Sequence, residues 1–338
     1  MPVSSDLGRR RRVSPTVVHG IDGFTARTKG AHVCGRRSPA ISRRSLIAGF
    51  GLATLTGCTP APRETAAPPQ GNPGTSTAPP SPTTATTPPT ATTAVTTVPP
   101  SPPPVDRADV VAEFGSRKPA DFGLFLPGVI TRGRRGVALT FDACGGGRLG
   151  NGYDADLIQL LIDNDVPATL FLNGRWIAAN PTIAGELAAI PLFELANHGW
   201  AHVPLTVAGQ KAYGIAGTSD AGAAYDEIVS GLDALAELTG RHSPYFRPGT
   251  AWCDDVGVAI AERLGVKVIA FDINADAGAT ASATEVSANL RPVKEGSITL
   301  GHFNRPEGQT AEGLAKALPK LLDAGTRFVT VSEALAPA

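Results

Sequence analysis

The sequence predicts an α/β fold of about seven parallel strands joined by crossover helices, confined to residues 106–338. Two observations carry this reading. Short apolar runs alternate with amphipathic stretches over the last two thirds of the chain, and five of those runs end in a polar residue able to do chemistry. In parallel α/β architectures the carboxyl ends of all strands face one side, where sites form. An open doubly wound sheet and a closed barrel both fit the spacing.

Strand candidates lie at 136–141, 167–172, 192–196, 244–246, 266–271, 297–301 and 327–331. Helix candidates lie between them at 154–164, 180–189, 222–238, 255–264, 284–290 and 310–323. In the first helix Leu157, Leu160 and Leu161 fall at i, i+3 and i+4, on one face. The five polar endings are Asp142 after "VALTF", Asn197-His198 after "LFELA", Arg247 after "PYF", Asp272 after "VIAF" and His302 after "ITLG". A shared mouth explains all five together.

The first third of the 338-residue chain does not read as a packed domain. Residues 1–58 carry ten Lys/Arg against two Asp/Glu, whereas residues 59–338 carry twenty against twenty-eight. The acidic remainder argues against nucleic acid as a partner. Arg43-Arg44 precede a short apolar segment, Leu46 to Leu55, with the charged-then-apolar order of an export signal of twin-arginine type. "LTGC" at 55–58 has the form of a lipobox, so Cys58 is expected to carry the lipid that anchors the chain to the outer face of the membrane. Residues 59–105 hold fifteen prolines and thirteen threonines and read as a disordered linker. Such a spacer reaches on the order of 100 Å, enough to hold a head within a cell wall.

His198 and His202 stand at i and i+4 in "NHGWAHVP", so on one helical turn both imidazoles face one metal ion. A divalent ion there polarises a carbonyl. Hydrolysis further needs a base and an acid, roles that suit Asp142 and His302. Arg247 is placed to hold Asp142 ionised, and Asp272 to hold His302 protonated.

These residues carry a family resemblance. "TFDAC", "HGWAH", "RPGT", "FDINAD" and "LGHF" follow in the order and spacing of the five motifs of the polysaccharide deacetylases, the NodB-homology domain of carbohydrate esterase family 4. The resemblance spans roughly residues 133–335. It implies a distorted (β/α) barrel, a divalent metal that is commonly zinc, with cobalt as an alternative, and removal of acetyl groups from acetylated sugars. Carried over by position, Asp142 resembles the base, His302 the acid, His198 and His202 the metal ligands, Arg247 the residue orienting the base and Asp272 the residue tuning the acid. The substrate expected is an acetylated polysaccharide such as peptidoglycan, and the head is expected to be monomeric.

The pattern departs from the family at Ala143, where a third metal ligand is expected. Asp142 itself, a water or the thiolate of Cys144 are the possible replacements. Cys144 has a competing use. With Cys34 removed in the leader and Cys58 lipidated, Cys144 and Cys253 are the two cysteines left in an exported head, and a Cys144–Cys253 disulfide is the expectation. Asp276 lacks the tryptophan that follows in the family's fourth motif, and Asn304 stands near the family's last aspartate.

Overall fold

The computed structural model describes residues 105–337. The leader at 1–58, including Arg43, Arg44 and Cys58, and all of the linker except Val105 lie outside the described residues. One seven-stranded parallel sheet organises the rest. Its strands in chain order are β1 (Thr140–Ala143), β2 (Ala168–Leu172), β3 (Phe193–Asn197), β4 (Tyr245–Phe246), β5 (Lys267–Val268), β6 (Ile273–Asn274) and β7 (Thr299–His302). They lie in the order β5-β4-β3-β2-β1-β7-β6. The two edges, β5 and β6, are successive parts of one stretch, 267–274, so the sheet curls back on itself as a distorted (β/α) barrel.

The helices that cover the outer face are α1 (Arg107–Phe114), α2 (Ala155–Asp163), α3 (Gly174–Ala179), α4 (Pro181–Ala188), α5 (Ala221–Thr239), α6 (Asp255–Arg263), α7 (Ala283–Asn289) and α8 (Thr310–Asp323). The short α9 (Val331–Leu335) follows Phe328–Val329, which pairs with Val137–Ala138. The run at 327–331 therefore lies outside the seven-stranded sheet, and its expected place there is taken by β6. Ile273–Asn274 is too short and too polar to show a strand period.

Strand alternation divides the core into two layers. Phe141, Ala143, Leu170 and Leu172 point to the helices and join Leu157, Leu161, Leu314 and Leu318 in one buried cluster. The other face of the sheet carries Ala138, Phe171, Ala196, Ile269, Ile298 and Val329, closed at the bottom by Val331 and Ala334 of α9. A filled interior leaves only the top of the barrel for chemistry.

Register decides what arrives there. Asp142 is level with His302 on one side and with Phe171 on the other. Leu172 is level with Asn197, and Asn197 with Phe246. Asp142 and His302, with Asn173, His198 and Arg247 that follow their strands, consequently stand together at the carboxyl end of the sheet.

Candidate active site

Arg247 organises the floor of this mouth and is wholly buried. Its Nη1 donates to Asp142 Oδ1 at 2.6 Å, Nε donates to the Ile269 carbonyl at 3.1 Å, and Nη2 to the Ala270 carbonyl at 3.1 Å. The guanidinium also lies over the Phe171 ring, 4.0 Å from its centre. A charge so enclosed needs its counter-ion, and Asp142 supplies it. Burial alone would raise the Asp142 carboxyl, but the charges of Arg247, His198 and His302 outweigh that and hold it below its ordinary value.

The main chain of Arg247 fixes a second group. Its carbonyl lies 2.8 Å from Nδ1 of His198. A carbonyl only accepts, so Nδ1 carries a hydrogen and Nε2 is the ring nitrogen left for another partner. That Nε2 is buried without a hydrogen-bond partner, 3.4 Å from Asp142 Oδ2. A buried ring nitrogen without a hydrogen-bond partner fits a metal ion, which binds the neutral imidazole. His202 stands across from it, with the two ring centres 4.9 Å apart.

The turn that joins the histidines is built, not helical. His202 has a left-handed backbone, φ 57°. Glu227, reaching in from α5, accepts from the N–H of Ala201 at 2.7 Å and of His202 at 3.0 Å. Burial raises the Glu227 carboxyl to about 7. Asn173 at the end of β2 donates to the carbonyls of His198 and Gly199, and the Asn197 side chain accepts from Gly199 N–H. Gly249 presses on the same turn, since a Cβ there would lie 2.2 Å from the His202 carbonyl carbon. Glu227, Asn173 and Gly249 were not marked by sequence reasoning. Glu227 leaves one signal, a carboxylate on the apolar stripe of α5 between Ala224 and Gly231.

The acid partner of His302 is Asp276, not Asp272. Nδ1 of His302 lies 2.9 Å from Asp276 Oδ1, and the His302 N–H donates to Oδ2 at 2.7 Å. Thr310 donates to the same Oδ2 at 3.0 Å. Burial would lower the His302 imidazole, but the Asp276 charge and hydrogen bond outweigh it and raise it well above its ordinary value. Register explains the exchange. Asn274 pairs with Leu300, which carries Asp276 level with His302 and leaves Asp272 beside Ile298. Asp272 there accepts from Ile298 N–H at 2.9 Å and from Ser297 at 3.1 Å, and pairs with Arg132.

The expected disulfide is absent, and both cysteines are free. Cys253 is buried and pairs with Gly123 and Leu205 in short bridges, and burial pushes its thiol up to about 12. Cys144 lies instead with the histidines, its Sγ and one nitrogen each of His198 and His202 all within 4.8 Å of one another. Burial would raise its thiol, but the imidazoles of His202, His198 and His302 around it hold it well below the ordinary thiol range. Among the described residues this is the one cluster of three ligand side chains close enough to share an ion.

Residues 130–269 match the family model described as polysaccharide deacetylase. This segment belongs to the polysaccharide deacetylase family. The chain is 26% identical over 187 residues to the peptidoglycan-N-acetylglucosamine deacetylase of Bacillus cereus, covering 54% of this chain and 82% of that protein. It spans less than half the length of two other curated relatives that it matches. Among solved structures, a peptidoglycan N-acetylglucosamine deacetylase with a bound hydroxamate-type ligand is similar at a TM-score of 0.53 and 20% identity, over 68% of this chain and 96% of that one. A wild-type CE4 family pseudoenzyme from Bacillus anthracis is similar at 0.52 and 24%, over 63% and 70%. These structural likenesses concern the fold of the deacetylase-family domain, the seven-stranded barrel described above.

Proposed function

We propose that the head is a divalent-metal-dependent hydrolase that removes N-acetyl groups from amino sugars of a cell-wall glycan, most simply peptidoglycan. The observation that carries the reading is the convergence of an ionised carboxylate, two imidazoles, one of them with a buried nitrogen that has no hydrogen-bond partner, and a carboxylate-supported imidazole at one barrel mouth. His198 and His202 hold the ion, and zinc or cobalt suits the nitrogen donors. When bound, the ion supplies Lewis acidity to the acetyl carbonyl.

The protein's own groups account for the proton movements. Asp142, kept ionised and aimed by Arg247, takes a proton from the water that attacks the acetyl carbon. His302, held protonated and oriented by Asp276, gives a proton to the sugar nitrogen as the carbon–nitrogen bond breaks. Acetate and a free amine result. Exposed aromatic residues suit a sugar ring. Trp252 packs against Phe122 at 5.1 Å and meets Tyr213 edge-on at 6.3 Å, and Trp200 and Tyr213 are exposed.

The leader extends the proposal to location. Export through Arg43-Arg44, a lipid on Cys58 and the Pro/Thr-rich spacer place a monomeric head in the wall, beside acetylated glycan. O-acetyl ester hydrolysis is the neighbouring chemistry, and glycan binding without turnover is favoured by one observation, the methyl group of Ala143. Acetate release from N-acetylglucosamine oligomers and from acetylated xylan, measured on the zinc-loaded full chain, separates the three. Release from the first alone supports the proposal, release from xylan alone moves the reaction to esters, and release from neither leaves binding.

A further inference from the structure

Two imidazoles are one protein ligand short of the three that a catalytic zinc site ordinarily has. Alternation along β1 bears on the missing one. Phe141 and Ala143 face the helices, so Ala143 is directed away from the mouth and Asp142 toward it, and Cys144 is the first residue past the strand. Cys144 is delivered to the same space as the two histidines, with the three ligand atoms within 4.8 Å. His198 Nε2, on a side chain with 1% exposure, stands in that space with no hydrogen-bond partner. Glu227 and Gly249 meanwhile hold His202 in its left-handed turn, a conformation that costs energy and survives only when its surroundings impose it.

We propose that Cys144 is the third protein ligand of a two-histidine, one-thiolate metal site. The site then selects thiophilic ions such as zinc and cobalt over magnesium and manganese, which prefer oxygen. On binding, the sulfur–metal bond forms and the thiol proton leaves to solvent. The inference rests on the metal requirement of the proposed function, and not on the reaction or the sugar. Cys253 does not compete for this role, because its sulfur is buried against the Gly123 carbonyl at 3.8 Å.

Titration of the metal-free full chain with cobalt(II), followed by absorption and by metal analysis, tests the assignment. The expected result is one ion per chain with a sulfur-to-cobalt charge-transfer band in the near ultraviolet. Cys144→Ser loses the band and binds the ion at least about tenfold more weakly. Cys144→Asp, which restores an anionic ligand and guards against a misfolded serine variant, binds one ion without the band. Cys253→Ala keeps both ion and band. An ion bound by the wild-type chain with no band, or a band that persists in either Cys144 variant, overturns the thiolate ligand alone. No ion bound by the wild-type chain overturns it together with the metal requirement of the proposed reaction.

Discussion

The Arg247 guanidinium donates to Asp142 at 2.6 Å while the carbonyl of the same residue fixes His198 at 2.8 Å. One residue thus sets the direction of the proposed base and the orientation of a proposed metal ligand. Removing its side chain leaves the Asp142 charge buried and unpaired, so Arg247→Ala is expected to lose about 3–5 kcal/mol of stability in denaturant unfolding. Arg247→Lys keeps the charge but not the fork. It is expected to fold and to lose roughly 100-fold in kcat, because the base is misaimed. A lysine variant with wild-type kcat would mean that the arginine acts only in packing.

Asp276 and Asp272 make opposite predictions. Asp276→Asn removes the negative charge that holds the His302 imidazole and is expected to lower kcat by at least about tenfold with KM little changed. Asp272→Asn touches only Arg132, Ser297 and Ile298. It is expected to leave kcat within about threefold and to cost about 1–3 kcal/mol in thermal or denaturant unfolding. The reverse pattern in steady-state kinetics would restore the assignment that the motif order suggested.

Much of the site was legible because its groups follow strand ends. Asp142, His198, Arg247 and His302 each end an apolar run, and parallel pairing forces such residues to one side. What escaped depends on register and on local turns. Asp272 and Asp276 are four apart, and only the pairing of Asn274 with Leu300 says which one reaches His302. The Cys144–Cys253 bridge was inferred from export and a cysteine count, which carry no direction. Just past the end of β1, Cys144 lies with the histidines, and the short pairing with Gly123 holds Cys253 elsewhere. The strand at 327–331 was sound as a local run but pairs with Val137–Ala138, outside the main sheet.

Gly249 couples the RPGT segment to the histidine turn by close approach. A methyl group there would meet the His202 carbonyl carbon at 2.2 Å and the Val203 nitrogen at 2.5 Å, both backbone atoms that cannot swing aside. Gly249→Ala is expected to cost about 1–3 kcal/mol and to weaken metal binding as His202 is displaced. Calorimetric titration with zinc checks the second effect, and unchanged affinity would show that His202 does not ligate.

Cys253 gives a pH dependence with a defined sign. Its folded thiol titrates at about 12 against an ordinary value of 9.0, so between those limits the unfolded chain loses a proton that the native state keeps. Stability from this group is complete below pH 9 and falls as pH rises toward 12, by about 1.4 kcal/mol per pH unit within the window. Unfolding free energies of the wild-type chain and Cys253→Ala should converge or cross as pH is raised from 8 to 11. Parallel curves would mean that the thiol is solvated in the native state.

The most direct measurement of the central claim is acetate release from N-acetylglucosamine oligomers by the zinc-loaded full chain, wild type beside Asp142→Asn. The account predicts turnover by the wild-type chain, its loss on chelation and return with zinc or cobalt, and a fall of roughly 100- to 10,000-fold in the asparagine variant. No acetate from a chain shown to hold one ion, or equal release by both proteins, would contradict it.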